Sequence, residues 1–152
     1  MAKTTQNTTA DDQSEQRFTD EERAAMKERA KEVRAARKGV SAEEAEAEVL
    51  AKIAEFPEFD RELAEWVHNV ITKSAPELMP RLWYGMPAYA KNGKLLCFFQ
   101  PASKFKARYA TLGFSDTAAL DEGTMWPASY ALTTINAADE KRIAELVVRA
   151  VG

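Results

Sequence analysis

WYGMPAYAKNGKLLCFF, residues 83–99, decides the fold. Asn92-Gly93 sits between two apolar runs, Met86–Ala90 and Lys94–Gln100. A two-residue hairpin turn needs positive φ at both central positions, and Asn-Gly is the pair that accepts this most readily. The stretch therefore predicts a β-hairpin rich in aromatics. Downstream, Lys106–Phe114 and about Trp126–Leu132 read as further strands, separated by a short polar stretch at 116–123.

Upstream the period changes from two to 3.6. Thr19-Asp-Glu-Glu22 and Ser41-Ala-Glu-Glu44 are capping boxes, each opening a helix. The first is expected to stop near Lys38–Gly39. Its larger apolar groups are only Met26 and Val33, so it reads as a peripheral helix over 18–40. The second carries Val49, Leu50, Ile53 and Ala54 on one face and ends before Pro57. The third, from about Asp60 to Ala75, has the clearest stripe: Leu63, Trp66, Val67, Val70 and Ile71. After the strands, Asn136 caps a last helix with Ile143, Leu146, Val147, Ala150 and Val151 on one side. Helices, then strands, then a helix predict an α+β two-layer sandwich: an antiparallel sheet of four or five strands with helices on one face.

The chain has 152 residues, enough for one domain. Residues 1–17 are polar and read as a disordered tail with no secretory signal, and 41–152 as the folded domain. No apolar run reaches the ~20 residues of a membrane span. A net charge of −3 and a pI near 5.4 argue against nucleic acid as a partner. The lone Cys97 excludes an internal disulfide and fits a cytoplasmic location.

The blocks WYGMPAY, NGK, CFFQPASKFKARYATLGFSD and GTMWP, taken together, resemble the YdhG-like family, a bacterial domain of unknown function. The resemblance spans roughly Phe18 to Val151 and implies a two-layer α/β sandwich. Some members are described as frataxin-like iron chaperones, which implies weak Fe²⁺ binding by exposed carboxylates.

Three sets of residues are candidate sites. Glu65 and His68 form Glu-x-x-His, which puts both groups on one helical face at the spacing of di-iron carboxylate bundles. With one His in the chain, no such centre closes within one protomer, though a dimer would supply a second pair; a surface His beside a surface Glu is the plainer reading. Glu43, Glu44, Glu46 and Glu48 crowd the start of the second helix, where they serve as weak metal ligands or simply complement the helix dipole.

The third set is aromatic. Ten of the fourteen aromatics fall between Trp83 and Tyr130. Alternation sets Leu95, Cys97 and Phe99 on one face of their strand and Leu96 and Phe98 on the other. If helices cover one face only, the aromatics of the other need a ligand, a partner or loops to bury them. In an extended segment Lys104, Lys106 and Arg108 share one face, suited to a phosphate or carboxylate or to protecting a sheet edge. LLCFFQ lacks the RNA-recognition signature. No G-x-S-x-G, Walker or Rossmann pattern occurs, and Cys97 lies in an apolar strand. The reading that follows is a non-enzymatic protein holding a small molecule or protein partner against Trp83, Tyr84, Met86, Tyr89, Phe98 and Trp126. Lys106 and Arg108 are expected to orient an anionic group. The alternative is the frataxin-like iron chaperone, with Glu43, Glu44, Glu46, Glu48, Glu65 and His68 as ligands.

Overall fold

Two turns of the same kind fold the middle of the chain into a three-stranded ladder. Tyr84-Gly85, with φ of 52° and 73°, joins β1 (Met79–Trp83) to β2 (Met86–Lys91). Asn92-Gly93, with φ of 51° and 80°, joins β2 to β3 (Lys94–Gln100). β4 (Ala110–Phe114) and β5 (Ser129–Leu132) complete a five-stranded antiparallel sheet in the order β1-β2-β3-β4-β5. The computed structural model describes residues 19–37 and 41–152. The polar tail 1–17 and the helix stop at Lys38–Gly39 lie outside the described residues.

Among the described residues are four α-helices: α1 (Asp20–Arg37), α2 (Ala42–Glu55), α3 (Glu58–Ser74) and α4 (Ala137–Val151). Each expected cap forms. Thr19 Oγ1 accepts from Glu22 N at 3.1 Å, Ser41 Oγ from Glu44 N at 3.2 Å, and Asn136 Oδ1 from Asp139 N at 2.8 Å. Such a cap contributes about 1 kcal/mol.

The core lies between one sheet face and α2, α3 and α4. Val49 and Ile53 come from α2, Leu63, Val67 and Ile71 from α3, and Ile143 and Val147 from α4. They meet Tyr89, Cys97, Phe99, Leu112, Phe114 and Leu132 of the sheet. The fold is thus α+β, with helices packed on one face. No helix among the described residues is long and apolar enough to cross a membrane.

Three local expectations give way. Leu50 and Ala54 of α2 are exposed, because α2 sits on the sheet along the Val49–Ile53 ridge alone. In β3 the pairs Ala90↔Leu95 and Tyr89↔Cys97 enclose one extra residue, Leu96. This bulge lets the adjacent Leu96 and Cys97 both enter the core and leaves Leu95 off their face. Finally, β4 starts at Ala110 instead of Lys106: Ser103–Phe105 forms a 3₁₀ turn and Lys106 is left-handed at φ 52°. Lys104, Lys106 and Arg108 therefore form no extended row.

Among the described residues no helix packs the opposite sheet face into the main core cluster. There Met86, Ala88 and Ala90 are buried yet stand outside the main core cluster. Phe98 pairs with Ala88 on one side and Gly113 on the other. A Cβ on Gly113 would fall 2.3 Å from Phe98 Cζ, so this glycine makes room for the ring.

Candidate functional site

On the helix-packed face, His68 is only 3% exposed and joins two elements. Its Nδ1 lies 2.8 Å from the Tyr89 hydroxyl, and its Nε2 lies 3.2 Å from Glu46 Oε1. A neutral imidazole satisfies the whole line: the Tyr89 O–H donates to Nδ1, and Nε2–H donates to Glu46. Burial pushes the Tyr89 pKa well above its usual value and the Cys97 thiol up to about 12. Tyr89 and Cys97 pair in register, so a second neutral acid lies beside the tyrosine. The line ties α2, α3 and β2 together as a satisfied polar thread in an apolar core.

Glu65 is exposed and does not share this environment. The Glu-x-x-His pair is therefore not brought together. The clue was angular: His68 stands four residues after buried Ala64 and three before buried Ile71, inside the stripe. Of the α2 carboxylates, Glu43, Glu44 and Glu48 are exposed while Glu46 turns to His68. Among the described residues no group of three or more His, Cys, Asp or Glu side chains is placed to hold a metal ion.

The second site lies where α1 crosses the end of the sheet. Contacts run in order along the helix. Glu21 meets Lys106 at 2.9 Å, and Glu28 bridges Lys104 at 2.9 Å and Lys52 at 2.8 Å. One turn on, Glu32 accepts from Tyr84 N at 2.8 Å and Gly85 N at 2.7 Å. Burial raises the Glu28 pKa, but the two ammonium groups outweigh it and hold the carboxyl below its usual value. Gly85 suits this turn because it takes φ 73°, and a Cβ on it would lie 1.7 Å from Glu28 Oε2, which would have to move.

Between α1 and the sheet end opens an apolar groove of about 350 Å³, walled by Ala25, Met26, Tyr84, Met86 and Phe105 with Glu22 at its edge. Met26 is 43% exposed. Tyr84 is left-handed, which is uncommon for an aromatic residue, and the Glu32 carboxylate holds its backbone there. Trp83 adjoins with its ring 5.2 Å from that of Tyr84 and 5.1 Å from that of Phe98. A more polar cavity of about 270 Å³ lies on the other side of α1, lined by Lys31, Glu48, Lys52, Glu55 and Leu82 among others.

The expected aromatic set thus divides. Tyr84 and Met86 line the groove, and Trp83 and Phe98 pack together beside it. Tyr89 faces the helices, and Trp126 lies in the loop before β5, away from the groove wall. Lys106 is 80% exposed on its side chain and paired to Glu21, while Arg108 stacks over Tyr109 at 5.4 Å. Sequence reading missed the α1 wall because Ala25 and Met26 are too sparse to make a stripe. It also missed Asp60. This buried carboxylate accepts from Ala102 N at 2.7 Å and Ser103 N at 3.0 Å, and so sets the 3₁₀ turn that carries Phe105.

Comparison of the chain with protein-family models, with curated proteins and with solved structures finds no match.

Proposed function

We propose that this chain is a non-enzymatic binding protein that holds a small, mainly apolar ligand between α1 and the β1–β2 turn. The observation that carries the reading is the groove of about 350 Å³ with its wall of Ala25, Met26, Tyr84, Met86 and Phe105. The groove is shallow and open to solvent, and its apolar wall suits one face of a flat, compact molecule. The left-handed Tyr84, clamped by Glu32, supports it, since strained backbone concentrates at functional sites. We read the chain, on its WYGMPAY block, as YdhG-like and, on its lone Cys97, as cytoplasmic. The iron-chaperone alternative draws less support, because Glu46 is committed to His68 and Glu65 stands apart.

The test is a calorimetric titration with naphthalenemethanol, a neutral bicyclic alcohol, against the wild type and the Met26→Glu and Phe105→Ala variants. Saturable binding weakened several-fold in both variants is expected. Absence of binding, or binding indifferent to both substitutions, overturns the reading.

A further inference from the structure

Residues 123–138 contain no Asp, Glu, Lys or Arg, in a chain that is 30% charged. β5 lies inside this run and forms one edge of the sheet. The other edge, β1, is protected in the ordinary ways, with Pro80 and Arg81 on the strand and α2 packed against it. β5 has neither charge nor proline, and its register with β4 is unbroken.

The pairing with β4 fixes what this edge offers. Phe114 N donates to Ala128 O at 2.8 Å, while Leu112 pairs with Tyr130 and Ala110 with Leu132. Along an antiparallel ladder, successive residues turn their N–H and C=O groups to opposite sides. Tyr130 and Leu132 therefore face β4, and Ser129, Ala131 and, just past the strand, Thr133 turn theirs outward. Among the described residues nothing pairs with that outward row, and all three residues are exposed. Large apolar side chains stand exposed at both ends of it: Met125 (89%) and Trp126 (36%) before β5, and Ile135 (46%) after it.

We propose that β5 pairs antiparallel with β5 of a second copy of this chain, about a two-fold axis at Ala131, joining two five-stranded sheets into one. This register sets Ala131 opposite its own copy and Ser129 opposite the partner's Thr133, and satisfies the outward row with about six backbone hydrogen bonds. Followed into the flanking segments, it sets Pro127 opposite the partner's Ile135, with Trp126 beside it. The exposed apolar groups at one end of the edge thus meet those at the other, the self-complementarity that a two-fold interface demands. Such an axis also sets each charge at its centre against its own copy, so an uncharged run is the composition that self-pairing needs. Paired strands alone bury little area, and Met125, Trp126 and Ile135 supply the apolar surface that a lasting dimer requires. Assembly stops at two, because pairing uses up the β5 edge of both copies and β1 is protected. The interface lies at the sheet edge opposite β1, so it is independent of the groove beside the β1–β2 turn.

Sedimentation velocity on the full chain is the test. The wild type is expected to run at twice the 17.0 kDa chain mass at micromolar concentration. Ala131→Pro removes an outward donor and no bond to β4, so it is expected to run at 17.0 kDa with the circular dichroism spectrum of the wild type. Should that variant fail to fold, Ala131→Glu and Ala131→Lys decide. Each alone is expected to be monomeric through like-charge repulsion across the axis, and an equal mixture of the two to restore the dimer. Trp126→Ala should weaken self-association several-fold. A wild type that stays at 17.0 kDa up to its highest soluble concentration overturns the proposal. So does a dimer that survives Ala131→Pro, or one that forms as readily in either charge variant alone as in their mixture.

Discussion

The Tyr89 hydroxyl meets His68 Nδ1 at 2.8 Å in the middle of the core, and this one bond ties the central hairpin to α3. Neither group has water to fall back on, since Tyr89 and His68 are both buried. Tyr89→Phe keeps the ring and leaves Nδ1 without a donor. The expected cost is about 1–3 kcal/mol, the penalty of an unsatisfied buried group, measured by urea unfolding monitored through Trp66 and Trp83 fluorescence. An unchanged midpoint would show that the thread contributes nothing to stability.

Cys97, in register with Tyr89, offers a second measurement on the same region. With its pKa pushed up to about 12 by burial, the thiol is protonated at pH 8, and only the thiolate reacts. Ellman's reagent is expected to modify the native protein only as fast as it opens, and the denatured protein at once. Rapid labelling under native conditions would mean that β3 is accessible.

The fold was legible where local chemistry is strong. Asn92-Gly93 marked one hairpin, three caps marked three helices, and Leu63, Val67 and Ile71 marked the α3 face. Tyr84-Gly85 adopts the same turn and was not read as one, because Tyr disfavours positive φ and is held there by Glu32, 52 residues upstream. The site was half legible. Tyr84, Met86, Trp83 and Phe98 announced themselves by type, but their division depends on which sheet face each one takes, and the Leu96 bulge resets that count. Asp60 and Glu28 act on segments 42 and 76 residues away, a relation that no spacing encodes.

Gly85 is the position where one methyl group tests the α1 contact. Gly85→Ala meets both a φ of 73° and the Glu28 carboxylate, so the Glu28 side chain must swing away and its bonds to Lys52 and Lys104 are disturbed. A loss of about 1–3 kcal/mol is expected from strain together with the disturbed Glu28 contacts. Gly93→Ala, at φ 80° but in open space, should lose about 1 kcal/mol. Chemical denaturation of the two variants side by side decides whether α1 is seated on the turn: equal losses would mean it is not.

The Glu28 carboxyl links α1 to pH. Its folded pKa is depressed, because Lys52 and Lys104 outweigh the effect of burial. The contribution to stability is therefore fully present above the ordinary Glu pKa of 4.5 and is lost as pH falls through the lower folded value. Solvent screens the cluster, so the effect is modest. Thermal unfolding of the wild type and Glu28→Gln should differ near about pH 6 and converge toward about pH 3. A gap that persists at low pH would assign the difference to packing instead of charge.

Asp60 connects the core to the groove. Its carboxylate, buried at the start of α3, fixes Ala102 and Ser103, and the turn that follows presents Phe105 to the groove wall. Asp60→Ala removes the acceptor of two backbone N–H groups. Stability should fall by about 2–4 kcal/mol, since hydrogen bonds to a charged group are stronger than neutral ones. Asp60→Asn keeps one acceptor oxygen and should lose about half as much. The readout that separates positioning from bulk stability is naphthalenemethanol affinity, measured well below the unfolding temperature. Both variants are expected to bind it several-fold more weakly because Phe105 is no longer held in place. If Asp60→Asn is destabilised but binds as the wild type does, the 3₁₀ turn supports the fold and does not shape the groove.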